Sequence, residues 1–158
     1  NAGVAIAQTT DDDISLMWLK DQSQTTTAVN ALMADKAGAN TARVQYVLSG
    51  QPLADRFNSP LVDPRTPDLI VQPIPGTIYS GSIAKVAEHG GFSRDDTHVA
   101  LIVVNGARLT GNGGGNVVDD RVTTSQVAPT VLAALGLNPG KLDAARIEHT
   151  QVLPDFNS

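Results

Sequence analysis

Val99 to Val104 reads V-A-L-I-V-V, six apolar residues in succession with three valines and an isoleucine. Such a run suits a β-strand covered on both faces, as in the middle of a covered parallel sheet. It is expected to be the central strand of the chain. The segment leading into it is E-H-G-G-F-S-R-D-D-T-H, which sets a histidine and two glycines on a tight turn and follows them with acidic residues. In α/β folds the loops at strand ends carry most of the chemistry, so His89 stands where a rigidly held ligand is useful.

As bare chemistry the turn has two readings. Neutral imidazole is a common zinc ligand, and Gly90 and Gly91 allow positive φ and close passage of the backbone past a metal or substrate. The plainer reading is a turn histidine bonded to a backbone carbonyl. One histidine does not make a tetrahedral zinc site, which takes about four ligands.

A chain of 158 residues fits a single domain with a substantial core. Aromatic residues make up only 4%, so that core must be mostly Val, Leu, Ile and Ala. The net charge of −5, without any Lys/Arg cluster, gives no electrostatic support for binding a nucleic-acid backbone. No apolar run approaches the roughly 20 residues that span a bilayer. Cysteine is absent, which removes disulfide and thiol chemistry and leaves the compartment open. The first residue is Asn1, with no initiator Met, so a processed or cleaved product is expected.

Taken in order, residues 1–10 lack a clear period and are expected to trail as a loop. Asp11-Asp12-Asp13 has neither spaced oxygen ligands nor a glycine at the calcium-loop offset, and reads as a solvated acidic turn before a strand. Strands are expected at Ile14–Leu19, Arg43–Leu48 and Asp68–Gln72, the last limited in its pairing by Pro73 and Pro75. Thr25–Ala37 is a helix with Ala28, Val29, Leu32, Met33 and Ala37 as its apolar stripe, Met33 being core filler. Ser23 or a following Thr can cap it, and Gly38 can end it in the left-handed conformation. Leu53–Phe57 forms a helical turn, and the prolines of 58–67 mark an ordered loop. Tyr79 lies in the loop Gly76–Ser82 and is expected to pack there.

Beyond the apolar run, residues 106–115 contain G-N-G-G-G without the Gly-Lys-Ser/Thr of a phosphate-binding loop, and read as a flexible connection. Residues 116–121 suit a short edge strand. Thr123 and Gln126 have capping-box spacing for a helix over Ser125–Leu135, stopped by Gly136. Lys141–Thr150 is a weaker helical candidate that would carry His149.

From Thr66 to Pro154 the chain resembles the C-terminal end of alkaline-phosphatase-superfamily enzymes, nearest the type I phosphodiesterase/nucleotide pyrophosphatase branch. The motifs that carry the resemblance are P-D-L-I-V at 67–71, E-H-G-G-F at 88–92, D-T-H-V-A-L-I-V at 96–103, T-S-Q-V-A-P-T-V-L at 124–132, L-G-L at 135–137 and V-L-P at 152–154. Their shared order is more specific than any one of them.

The resemblance implies the C-terminal part of an α/β sandwich with a sheet flanked by helices. It divides the single domain into a strand-helix-strand portion, 1–66, and a motif-bearing portion, 67–158. It further implies a metal-dependent phosphoric ester hydrolase with two zinc ions, a small phosphate ester as substrate, and a secreted or periplasmic location. In that chemistry two cations clamp opposite ends of an in-line displacement at phosphorus. By motif, His89 is similar to the late His-Gly ligand on the leaving-group side.

The family's early Asp with its nucleophile, its Asp-x-x-x-His pair and its Asp-His-Gly turn have no counterpart here. Asp95 and Asp96 fit none of those motifs. His98 is expected to open and cap the apolar strand. The chain thus supplies one metal ligand and is expected to be inactive in isolation, its missing N-terminal catalytic portion serving as partner. An uncovered sheet portion is expected to expose apolar surface and to favour self-association. The alternative is a non-catalytic binding or structural domain that keeps the fold without the two-metal chemistry.

Overall fold

The computed structural model describes residues 2–104, 117–154 and 156, and the chain divides into two units, residues 1–102 and 103–158. The first unit is built on one four-stranded antiparallel sheet. Its strands are β1 (Ile6–Asp11), β2 (Ser15–Leu19), β3 (Val44–Ser49) and β4 (Leu69–Pro73), in the order β1-β2-β4-β3. Helices α1 (Thr25–Ala37), α2 (Gln51–Ala54) and α3 (Arg94–Thr97) complete it. The class is therefore mixed α and β, with helices beside a sheet.

The middle of the sheet belongs to β4. Ser15, Leu16 and Met17 of β2 pair with Val71, Ile70 and Leu69 on one side, while β3 pairs with the same residues on the other. Every β4 residue is buried. Alternation along a strand sends neighbouring side chains to opposite faces. Leu69 and Val71 join Leu19 and Val44 in a cluster covered by Ala28 and Leu32 of α1. Ile70 joins Leu48 and Leu53 on the other face, where Leu16, Tyr46 and Phe92 pack. Pro73 limits the pairing of β4 less than the sequence reading expects, since β4 is paired on both sides. It falls on the last residue of the strand, paired with Val44, where a missing N–H costs least.

Val99–Val104 is the main correction. It forms no strand, and its side chains lie in the open, Val99 at 61%, Ile102 at 81% and Val104 at 73% exposure. The motif-bearing portion nevertheless supplies the centre of the sheet through β4, so residues 1–66 and the start of 67–158 share one core. Residues 6–10, expected as loop, and Asp11, expected in an acidic turn, form the exposed edge strand β1. The turn Asp12–Ile14 closes the hairpin, and Ser15 Oγ donates to Asp11 Oδ1 at 2.5 Å.

Helix α1 has the predicted limits, but its ends are made differently. Asp21 accepts from Ser23 N at 3.0 Å and starts a short 3₁₀ turn that runs into the helix. Gly38 ends it with φ −97°, outside the left-handed region, its N–H reaching Ala34 O at 3.0 Å. Met33 is 41% exposed and fills no core, since the stripe that touches the sheet is narrower than expected.

In the second unit, a 3₁₀ turn at Thr124–Gln126 leads into α4 (Val127–Ala134), and α5 (Asp143–Ile147) follows. The Thr123/Gln126 capping box forms, with Thr123 N donating to Gln126 Oε1 at 2.9 Å. Gly136 ends α4 at φ +70°, as its position requires. Thr130 Oγ1 donates to Gln126 O at 2.6 Å and accepts from Leu153 N at 2.9 Å, tying the V-L-P motif to α4. Val117–Arg121 is not a strand. Residues 106–115, read as a flexible connection, lie outside the described residues, as does Asn116.

Candidate functional site

The Glu88–Phe92 turn is held against the sheet face opposite α1. Phe92 N donates to Oε1 of the buried Gln72 at 2.8 Å, and its ring meets Phe57 edge-on at a centroid distance of 6.2 Å. A pair of that geometry contributes about 0.5–1.5 kcal/mol beyond its area burial. Ahead of the turn, Lys85 bridges Asp12 Oδ1 at 2.8 Å and the Glu88 carboxylate. These two partners raise the lysine pKa, and Lys85 in return is the leading cause that lowers Asp12.

Gly90 adopts φ +102°, which only glycine takes readily. Gly91 serves by close approach instead. It is buried, and a Cβ built on it would collide with Oδ2 of both Asp13 and Asp96. His89, on the outside of this turn, is exposed.

Ser93 starts α3 with a capping box. Asp96 N donates to Ser93 Oγ at 3.2 Å and Ser93 N to Asp96 Oδ2 at 3.0 Å. The spacing Ser93-x-x-Asp96 is the sequence signal for such a start. Burial acts to raise Asp96, but the hydrogen bonding with Ser93 outweighs it, the facing Asp13 carboxyl acts in the same direction, and the carboxyl is held below its usual range. For Asp13 the direction reverses: burial first, then the facing Asp96, pushes it up.

His98 caps no strand; it ends α3, its N–H bonded to Arg94 O at 2.8 Å, with the side chain exposed. Asp95 is exposed in the first turn of α3. His149 lies beyond α5 at φ +55°. Tyr79 is packed in the first core cluster and donates its hydroxyl to Ala42 O at 2.6 Å.

Among the described residues, no three or more His, Cys, Asp or Glu side chains are grouped to hold a metal ion. The described residues therefore do not by themselves complete a zinc site. No helix among the described residues is long and apolar enough to cross a membrane. An open hollow beside Trp18 is lined by none of the turn residues, and its Trp18 Nε1 and Asp68 groups are already bonded within the chain.

The site is thus an exposed histidine on a pinned glycine turn, backed by a carboxyl pair, in a mixed α/β unit with an antiparallel sheet. Compared with known protein families, curated proteins and solved structures, the chain matches none.

Proposed function

We propose that this chain is the C-terminal portion of a metal-dependent phosphoric ester hydrolase of the alkaline phosphatase superfamily, with His89 as one zinc ligand. The observation that carries the reading is the pinned turn. Its backbone is bonded to the sheet at Phe92 N and closely packed at Gly91, with the Lys85 side chain paired to Asp12 just ahead of it, while the imidazole itself is left exposed. A ligand delivered to a metal assembled largely by other residues needs that combination of fixed backbone and open side chain. The uncovered Val99–Val104 run supports the same reading, since six apolar residues in the open are suited to cover by further chain. The ordered motifs from Pro67 to Pro154 supply the class, a small phosphate ester the substrate, and a secreted or periplasmic setting the location.

The test has two arms. The 158-residue chain is expected to bind no stoichiometric zinc by calorimetry and to hydrolyse neither a chromogenic phosphodiester nor a monoester, with or without added zinc. In a longer protein bearing this sequence after an Asp-His-Gly turn and a Thr or Ser nucleophile, His89→Ala is expected to lower the rate about a hundredfold or more. Turnover by the short chain that disappears in His89→Ala would show a complete site within it. A longer protein indifferent to His89→Ala would favour the non-catalytic binding or structural role.

A further inference from the structure

Asp13, in the turn between β1 and β2, and Asp96, in α3, meet at Gly91. One point beside the Gly91 Cα is in contact with Oδ2 of both. Asp13 Oδ2 is buried and has no donor. Two ionised carboxylates are acceptors only and cannot bond one another, whereas a protonated carboxyl has one O–H to give. Like charges this close do not both ionise readily.

We propose that Asp13 and Asp96 share a single proton beside Gly91, and that this proton latches the segment Lys85–His98 onto the β1–β2 turn. The proton resides on Asp13, whose hydroxyl donates to the Asp96 carboxylate. Asp96 is the fitter acceptor because Ser93 N already donates to it. Loss of the proton to water leaves two facing carboxylates, and the segment loosens at that end. The opposite shifts of the two groups, Asp13 up and Asp96 down, agree with this division.

The surrounding charges do not remove the repulsion. Lys85 is committed to Asp12 and Glu88, and Glu88 adds negative charge toward Asp13. From β3 and the residues after α2, Tyr46 and Arg56 complete the set: Tyr46 senses both Arg56 and Asp96. The latch does not depend on the metal reading of His89.

The sign follows from linkage. For Asp13, raised in the fold, the favourable contribution is full below the ordinary carboxyl pKa and is lost as pH rises through the folded value. Asp96, lowered in the fold, contributes above the ordinary value and loses it as pH falls through its folded value. The segment is therefore tightest in mildly acidic solution.

Carboxyl-carbon NMR titration of the whole chain tests the proposal directly. The Asp13 midpoint is expected above the ordinary value for aspartate, about 3.9. Across that midpoint, amide exchange of Gly91 to Asp96, corrected for intrinsic rate, is expected to rise about threefold or more. Asp13→Asn keeps a donor and should hold the segment closed with no pH step. A midpoint at or below the ordinary value, or the same step in Asp13→Asn, overturns the proposal. Millimolar calcium or magnesium abolishing the step at neutral pH would overturn it too, by making the pair a cation site.

Discussion

Leu69–Pro73 and Val99–Val104 are similar stretches of sequence with opposite fates. Each is short, mostly apolar and contains β-branched residues, and the sequence marks the second more strongly because β4 contains Gln72 and ends in proline. Yet β4 is buried at every position, with a strand on each side, while the second run is open to solvent without a strand partner. The difference lies in what the rest of the chain offers. Leu69 and Val71 find α1 above them, and Ile70 finds Leu53 and Phe92 below. Apolar composition states a requirement for cover; only tertiary structure states whether the cover is present.

The largest effect that could break this comparison is at the sheet centre. Ile70 is 2% exposed between Leu48 and Leu53, so Ile70→Ala leaves a cavity that the paired backbone cannot close. Its expected cost is about 2–5 kcal/mol in urea unfolding, read through the fluorescence of the single tryptophan, Trp18. A cost below about 0.5 kcal/mol, the ordinary range of a surface change, would mean that β4 is not the centre of the fold.

A smaller loss is expected at Gln72, which carries the sheet's hold on the candidate site. Gln72→Leu removes the acceptor of the Phe92 N–H and leaves a half-buried amide without its partner. The expected cost is about 1–3 kcal/mol, with the exchange of the Phe92 amide rising before that of the β4 amides. Equal acceleration of both sets would show that the turn and the sheet open together, contrary to a turn pinned locally.

Local chemistry explains which parts were legible. The limits of α1 followed from its polar start, helical spacing and terminal glycine, all within a few residues of each boundary. The Thr123/Gln126 box and Gly136 did the same for α4. Strands β2, β3 and β4 emerged within about a residue, a margin ordinary for element ends. β1 was hidden because its six residues are all exposed, leaving no apolar alternation to detect; its pairing with β2 alone makes it a strand. At the site, Gly90's positive φ was legible from residue type. The meeting of Asp13 with Asp96 was not, because no local pattern links a hairpin turn to a distant capping residue.

The smallest expected effect sharpens the comparison most. Ile102 is 81% exposed, so Ile102→Asp removes almost no buried contact in the 158-residue chain. A surface substitution of that kind is expected to change stability by less than about 0.5 kcal/mol. It also places a charge inside an uncharged apolar run, the pattern that favours β-type association, so any concentration-dependent self-association should fall in sedimentation velocity. In the longer hydrolase proposed above, the same residue would be covered by further chain, and an unpaired carboxylate there would be costly. The prediction is therefore a contrast: near neutrality here, and loss of folded protein in the longer chain. If Ile102→Asp unfolds the short chain, the run is already part of a core and the difference from β4 collapses. If the longer chain tolerates it, Val99–Val104 is a surface segment in both settings and lends the hydrolase reading no support.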